Sequence, residues 1–386
     1  MIGFELTREQ KMLQGLAREF ARDVIRPAAA YYDEAEETPW EIMKKAHELG
    51  LDTYSYPEEY GGGGVTDALT SMLVTEELAW GCAGIATSIY GTHLCATAIE
   101  KCGTPEQRKK YISMFADPDR LVLGAMGLTE PGAGSDVKNI STTARQEGDS
   151  WVLNGTKRFI TNGGIADVHV IFATTDKSLG WKGIQAFIVE KGTPGLSMGK
   201  KEKKMGVRAS HTAEVILEEC RIPLENRLPG PGGSGGMGAL KMLESTRPGV
   251  GAAAVGIARA AYEYSLQYAQ ERQTMGKAII EHQSIANKLA DMATKIDAAR
   301  LLVWRAAWLA DQGQRFTKEA SMAKLFAADT AVEVTIEAIQ ILGGYGYIRE
   351  YPVEKWARDA KIYQIWEGTS EIQRYVISKA IAGKLG

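Results

Sequence analysis

Cysteine, histidine and long apolar runs are all scarce in this chain of 386 residues, and each shortage excludes a class of protein. The four cysteines form no CxxC pair, so we expect neither a disulfide framework nor a zinc site. The five histidines are scattered without an HExxH pattern, and we therefore expect no bound metal. Buried or half-buried thiols are the expected state of the cysteines. They are Cys82, Cys95, Cys102 and Cys220.

Membrane, export and nucleic-acid signals are also missing. No run approaches the roughly 18 apolar residues of a membrane span. Glu5, Arg8 and Glu9 come early in the chain, which suits neither a secretory signal nor an acid-poor transit peptide. The formal net charge is −3 and no long basic run offers a phosphate-binding stripe, so no nucleic-acid partner is expected. We predict a cytoplasmic protein.

The residue patterns along the chain indicate a helical region, then a β-rich region, then a second helical region. The composition, 45% hydrophobic and 24% charged, is that of a globular protein, and the length exceeds one ordinary core. We predict an α+β multidomain fold. Its parts are an N-terminal helical domain (1–120), a middle antiparallel β domain (121–229) and a C-terminal helical bundle (230–386).

Local signals place several elements within these units. Thr7 and Gln10 form a capping box that opens a helix, and Pro27 ends or kinks that helix. Asn154-Gly155 predicts a type I′ hairpin between residues 151–153 and 156–161, because that dipeptide supplies the positive φ angles required. Strands are predicted at 168–174, 184–190 and 211–217. Three long helical patterns, at 247–273, 281–312 and 317–342, predict the bundle.

The glycine-rich connection between the last two units contains two deceptive matches. Gly230, Gly232 and Gly235 fit GxGxxG, and residues 232–236 fit GxSxG. Both motifs require a strand–turn–helix context in a parallel α/β fold, which the pattern lacks. With prolines on both sides, this stretch is typical of an interdomain linker, so neither a dinucleotide fold nor a serine hydrolase is expected.

Two segments could carry chemistry. Residues 128–137 (LTEPGAGSDV) place hydroxyl and carboxylate groups in a glycine-containing loop after a strand, although an ordinary surface loop gives the same pattern. Glu367 precedes a predicted helix start, where Ser370 and Gln373 are expected to form a capping box. Glu367 is either an exposed loop carboxylate or, among Ile365 and Trp366, a base with a raised pKa.

Taken together, these segments resemble the acyl-CoA dehydrogenase family. The resemblance runs through almost the whole chain and rests on seven motifs in the family's order and spacing. They are LTEPGAGSDV, FITNG (159–163), KMGVRAS (204–210), TRP (246–248), ERQTMGK (271–277), QILGGYG (340–346) and IWEGTSEIQR (365–374). The short- and medium-chain enzymes are the most similar subgroup. The resemblance also implies that the C-terminal unit is a four-helix bundle.

The resemblance implies an FAD enzyme in which Glu367 is the catalytic base. FAD is held without a dinucleotide-binding fold, partly by a neighbouring subunit of a tetramer. The implied cofactor contacts are Met126, Leu128, Thr129, Ser135, Phe159, Ile160, Thr161, Arg272, Met275, Gln283, Gln340, Gly343, Gly344, Thr369 and Glu371. The implied substrate contacts are Ser135, Glu244, Arg247, Tyr90 and Gly368. Of these, Gln283, Gln340 and Gly344 match contacts to the FAD of a partner subunit.

The implied reaction is α,β-dehydrogenation of an acyl-CoA thioester. Glu367 takes the α-proton, a hydride leaves the β-carbon for the flavin, and electrons pass to electron-transfer flavoprotein. The Glu367 backbone N–H is an implied donor to the thioester carbonyl. Tyr90 either shortens the acyl pocket or packs in the core, and Ala83 stands where glutaryl-CoA enzymes have an arginine. An acyl-CoA oxidase that uses oxygen, and a non-catalytic FAD-binding assembly protein, remain alternatives.

Overall fold

The N-terminal unit is helical, as predicted. The computed structural model describes residues 5–230 and 236–383. The Thr7–Gln10 capping box is confirmed, with each side chain bonded to the other's backbone N–H. A π-helical turn, Ala21–Ile25, leads into the helix that carries Pro27 near its start. The helices are α1 (Arg8–Phe20), α2 (Arg26–Ala35), α3 (Trp40–Glu48), α4 (Ala68–Gly81), α5 (Ala83–Tyr90), α6 (His93–Cys102) and α7 (Pro105–Phe115).

The middle unit is a sheet of eight strands, and most of its neighbours are antiparallel. The order is β6-β7-β3-β2-β4-β5-β8, and β1 pairs in parallel with β4. Strand β4 is buried along its whole length, as expected for a strand covered on both faces. The strands are β1 (Gly124–Gly127), β2 (Thr143–Glu147), β3 (Ser150–Thr161), β4 (Val168–Thr174), β5 (Ile184–Glu190), β6 (Leu196–Lys201), β7 (Thr212–Pro223) and β8 (Arg227–Leu228).

The predicted hairpin at Asn154-Gly155 is wrong. These residues lie inside the continuous strand β3, at a register shift against β7, and the turn before β3 uses Gly148 (φ 58°) instead. The Asn154 side chain exchanges two hydrogen bonds with Glu219 across the bulge. A Cβ on Gly155 would lie 2.5 Å from the Thr142 hydroxyl, so this glycine serves a close strand approach rather than a turn.

Long helices form the C-terminal unit, which confirms the predicted bundle. Helix α8 ends at Glu271, and the two-residue strands β9 (Gln273–Thr274) and β10 (Lys277–Ala278) separate it from α9. Residues 232–235 of the glycine-rich connection lie outside the described residues. The helices are α8 (Gly236–Glu271), α9 (Gln283–Asp311), α10 (Thr317–Leu342), α11 (Val353–Lys361) and α12 (Ser370–Ala382).

Buried ion pairs join the first and last units. Glu77 on α4 is fully buried and pairs with Arg18 of α1 at 2.6 Å and with Arg259 of α8. Small residues let α4 and α8 approach closely: a Cβ on Gly256 would lie 2.3 Å from the Glu76 carbonyl oxygen. Helix α8 is thereby fixed against the N-terminal unit. All four cysteines are buried, as predicted. Within the two described ranges, every helix is too short or too polar to cross a membrane.

Candidate active site

Glu367 lies on a constrained turn before α12. Its φ is 50° and that of Gly368 is 97°, so two consecutive residues adopt left-handed backbone. For a residue with a Cβ this conformation is unfavourable and needs support from its surroundings. Support comes from Gln373, whose Nε2 donates to the Glu367 and Gly368 carbonyls at 3.3 and 2.9 Å. The Lys324 ammonium also donates to the Gly368 carbonyl, at 2.7 Å.

The carboxylate of Glu367 faces α8. The Thr246 hydroxyl donates to its Oε2 at 2.6 Å. Burial raises the pKa of Glu367, while the Thr246 hydrogen bond, Lys324 and Arg247 each lower it in part. Burial favours the neutral acid and the nearby donors favour the anion, so both protonation states of the carboxyl group find support, as a general base requires.

Aromatic rings stand beside this carboxylate. Trp366 and Tyr363 pack edge to face with ring centroids 4.8 Å apart. Burial raises the pKa of Tyr90, and the negative charge of Glu367 raises it further. The Tyr90 hydroxyl lies 3.5 Å from the Thr87 hydroxyl. Apolar surroundings of this kind favour the neutral form of a carboxyl group.

The predicted substrate residues of α8 face α10. Arg247 Nη1 donates to the Ser321 hydroxyl at 3.3 Å, and Glu244 accepts a hydrogen bond from the Thr317 hydroxyl at 2.9 Å. Burial lowers the pKa of Arg247 from its ordinary value. The α8 side chain that hydrogen-bonds to Glu367 is that of Thr246, the residue before Arg247. Neither residue is acidic, so neither could act as an alternative carboxylate base.

A buried ion pair supports the loop after β1. Lys157 of β3 donates to Glu130 at 2.7 Å and to the Leu128 carbonyl at 3.2 Å. Glu130 also accepts hydrogen bonds from the Ser141 and Thr142 N–H groups at 2.5 and 2.9 Å. Burial opposes its ionisation, but Lys157 and these donors prevail and lower the pKa of Glu130 to about 2. Burial lowers the pKa of Lys157 to about 8.

This pair holds together the two segments in which a flavin surface was predicted. Arg158 N–H bonds to the Thr129 carbonyl at 2.8 Å, so the β1 loop runs along the end of β3. Phe159 has φ 60° and its side chain is 59% exposed, whereas Ile160 is buried and could reach a cofactor only through its main chain. Met126, Leu128, Thr129 and Thr161 are half-buried and Ser135 is exposed.

Glu367 and the predicted flavin surface are linked through the end of α5. A Cβ on Gly91, the residue after Tyr90, would lie 3.1 Å from the Thr161 side chain. The end of α5 therefore touches the end of β3. Tyr90 bridges the two groups of predicted residues, because its phenol lies on the Glu367 side.

A third group of predicted residues lines a cavity of about 430 Å³ at the far ends of α8 and α10. Arg272, Gly343 and Gly344 line it together with Tyr345, whose ring centroid is 5.8 Å from the Arg272 guanidinium. Nearby, Met275 (φ 51°) forms the tip of the β9–β10 hairpin and is 94% exposed.

The remaining predicted contacts are Gln283, Gln340, Thr369 and Glu371. Gln283 and Gln340 are exposed at the start of α9 and near the end of α10. Thr369 is the N-cap of α12 and accepts the Ile372 N–H at 3.3 Å. The predicted Ser370–Gln373 capping box is therefore wrong, since the helix starts one residue earlier than that box requires. Glu371 is exposed in the first turn.

These groups fit an FAD molecule in chemical terms. The cavity offers a guanidinium, an aromatic ring and glycines whose missing Cβ would meet no atom within 4 Å, which suits an anionic nucleotide. The exposed Phe159 and the half-buried Thr161 offer an aromatic face and a hydroxyl for a flavin ring. In the described part of the chain, no cluster of His, Cys, Asp or Glu could hold a metal ion.

Sequence reasoning missed the groups that support the predicted ones. Thr246 and Glu130 lie inside motifs that were recognised, but only the fold shows what they contact. Lys157 is fully buried on β3, where its partner is 27 residues away in sequence. Gln373 was assigned to the wrong hydrogen bond. Lys324 carries one usable signal, a lysine among the small residues of an apolar helical pattern.

Known proteins match the whole chain. The acyl-CoA dehydrogenase N-terminal, middle and C-terminal domains match residues 7–119, 125–220 and 233–382. A short-chain specific acyl-CoA dehydrogenase of Clostridium acetobutylicum is 46% identical over 380 residues, 98% of this chain and 99% of that protein. Butyryl-CoA dehydrogenase from Megasphaera elsdenii has a TM-score of 0.95 at 43% identity and covers 99% of this chain and 100% of its own.

A further solved structure comes from work on the electron transferring flavoprotein of Acidaminococcus fermentans and flavin-based electron bifurcation. Its matching chain has a TM-score of 0.95 and 45% identity. The match covers 98% of this chain and 99% of the other. Both structural matches therefore extend through all three units rather than through one domain.

Proposed function

The chain belongs to the acyl-CoA dehydrogenase family, and on that premise we propose that Glu367 removes the α-proton of a short-chain acyl-CoA. The reaction is α,β-dehydrogenation to the trans-2-enoyl-CoA, with FAD as cofactor and electron-transfer flavoprotein as acceptor. The observation that carries the assignment of the base is the partly buried Glu367 carboxylate, hydrogen-bonded to Thr246 beside an aromatic wall.

Bound FAD supplies the acceptor for the hydride that leaves the β-carbon. The remaining steps are assigned to groups of the protein. Glu367 accepts the α-proton, and Trp366 and Tyr363 exclude water from it. In the described ranges no acceptor takes the Glu367 backbone N–H, so it is available to the thioester carbonyl as negative charge develops there.

Three groups of residues are proposed to hold the ligands. Met126, Leu128, Thr129 and Phe159–Thr161 hold the flavin ring; Ser135, Arg247 and Glu244 line the CoA side; Arg272, Met275, Gly343 and Gly344 hold the nucleotide end. Tyr90 closes the acyl pocket, and its bulk beside the base is the feature that favours short acyl groups. Relatives named for short-chain and butyryl substrates support that choice.

A homotetramer is part of the proposal. Thr246 lies on α8 and Arg272 directly follows the last residue of that helix, Glu271. The 25 residues from Thr246 to Glu271 correspond to about 38 Å of helix. One dinucleotide cannot span that length within a single chain. We therefore propose that each FAD is shared by two subunits. One subunit binds the flavin ring, and the second contacts the other end of the same FAD through Arg272, Gln283, Gln340 and Gly344. A cytoplasmic location also belongs to this proposal, and nothing observed contradicts it.

The test is anaerobic mixing of the yellow holoenzyme with straight, branched and cyclic acyl-CoAs while the visible flavin absorbance is followed. We expect short straight acyl-CoAs to bleach the flavin fastest. Glu367→Gln should retain FAD and ligand binding but react about 10²–10⁴-fold more slowly, the usual contribution of a general base. Glu350→Gln, an exposed carboxylate outside the site, is the matched control.

Several outcomes would contradict the proposal. Normal bleaching by Glu367→Gln would remove Glu367 as the base. No bleaching by any acyl-CoA would favour a non-catalytic assembly protein. Stoichiometric oxygen consumption during aerobic turnover would favour an oxidase instead of a dehydrogenase.

A further inference from the structure

Lys324 is a buried cation with no role in the mechanism given above. It lies on α10, and its side chain is completely buried. The surrounding face of α10 is built from alanines, including Ala323, Ala327 and Ala328, all fully buried. An ammonium group in such surroundings loses its hydration and is retained only where it meets specific partners. Burial lowers the pKa of Lys324 to about 8.

The main partner of Lys324 is the turn that carries the base. Its Nζ donates to the Gly368 carbonyl at 2.7 Å, and Gln373 Nε2 donates to the same oxygen at 2.9 Å. Two donors on one carbonyl fix the peptide plane that follows Gly368, at the end of the turn that carries Glu367. Since Glu367 and Gly368 both have positive φ, this carbonyl would otherwise be free to rotate with the backbone toward commoner conformations.

Charged groups reach Lys324 from every element packed around it. Glu367 stands before α12 and Glu371 at its start, Asp329 lies further along α10, and Arg247 projects from α8. Asp329 is already held by Arg374 at 2.8 Å, and Glu371 is exposed. Glu367 is therefore the carboxylate on which the charge of Lys324 should act. Arg247 acts on it in the same direction, since both positive charges lower the pKa of Glu367.

We propose that Lys324 is a positioning residue for the base: it donates to the Gly368 carbonyl and so fixes the left-handed turn that carries Glu367. The inference rests on the proposed function, because it assigns a purpose to a group that acts through Glu367. Lys324 itself touches no reacting atom. Its effect should thus appear in the protonation of Glu367 and in kcat, with little change in KM.

The test compares Lys324→Met with wild-type holoenzyme and with Lys318→Met, a partly exposed lysine on the same helix. The protonated Glu367 carboxyl is followed by infrared titration and identified as the band that Glu367→Gln removes. We expect Lys324→Met to raise the pKa of Glu367 by about one unit, which leaves roughly tenfold less ionised base at acidic pH. Lys318→Met should leave that pKa unchanged.

Two further measurements separate the charge from the clamp. Lys324→Arg keeps the positive charge, so the pKa of Glu367 in this variant should lie close to the wild-type value. Lys324→Gln keeps a donor without charge and replaces the Met variant if that variant does not fold, as judged by circular dichroism. A folded Met or Gln variant with wild-type Glu367 pKa and wild-type kcat overturns the inference. The infrared readout needs no turnover, so it remains decisive even if no acyl-CoA bleaches the flavin.

Discussion

The hydroxyl of Thr246 should set the pH range in which the enzyme works. It donates to Glu367 Oε2 at 2.6 Å, and Thr246→Val removes that donor while nearly preserving side-chain volume. The hydrogen bond stabilises the carboxylate and so lowers the pKa of Glu367, which burial raises. Loss of the hydrogen bond should therefore raise that pKa further. The base is active when ionised. Activity should therefore fall on the acidic side and recover as pH rises.

The magnitude follows from the strength of such a bond. A hydrogen bond to a charged group contributes about 1.5–3 kcal/mol, and one pKa unit corresponds to about 1.36 kcal/mol. Lys324 and Arg247 still stabilise the carboxylate after the donor is lost, so we expect the low end, about one unit. At pH values below both pKa values, kcat/KM should fall about tenfold. Well above them it should match the wild type.

The assay is the pH dependence of kcat/KM for a short-chain acyl-CoA, which reports the pKa of the base in the free enzyme. Ser265→Ala is the matched control. Its hydroxyl is fully buried in the same helix and donates to the Ala261 carbonyl at 2.7 Å. An acidic limb in Thr246→Val that stays in place, or moves to lower pH, would refute the reasoning.

Two further predictions concern stability. Lys157→Met should lower the free energy of unfolding by about 3–5 kcal/mol, because it leaves the Glu130 carboxylate buried and unpaired. The double variant Lys157→Met/Glu130→Gln should regain part of the lost free energy of unfolding, as measured by urea unfolding. An equal loss in the single and the double variant would contradict the ion-pair explanation. Gly256→Ala should cost about 1–3 kcal/mol, since its Cβ would collide with the α4 backbone. Gly249→Ala on the same helix, with its nearest neighbour at 3.8 Å, should be neutral or stabilising by up to about 1 kcal/mol in thermal unfolding.

The order of the three units could be predicted from the sequence, because hydrophobic period is a local property. The failures all involve a partner that is distant in sequence. Asn154-Gly155 carries the local chemistry of a turn, but pairing with β7 on one side and contact with Thr142 on the other make it part of a strand. Ser370 has the residue type of a cap, and Thr369 takes that role one position earlier.

The candidate site divides in the same way. Glu367 and the glycines near the cavity were reached through motifs, each of which is contiguous in sequence. The supporting groups were not, because a buried lysine such as Lys324 or Lys157 has meaning only through a carbonyl or carboxylate that the fold brings to it. Burial, unlike residue type, depends on the assembled units.

The left-handed conformation of Glu367 also bears on how this sequence can change over generations. A glutamate at φ 50° costs of order 1 kcal/mol relative to glycine, which adopts that conformation freely. In our proposal, the need for a carboxylate at this position opposes that cost. In a lineage that had given up proton abstraction, selection for stability alone would favour glycine or asparagine at this position. Replacement of Glu367 by either residue is therefore the change that we expect to accompany loss of dehydrogenation.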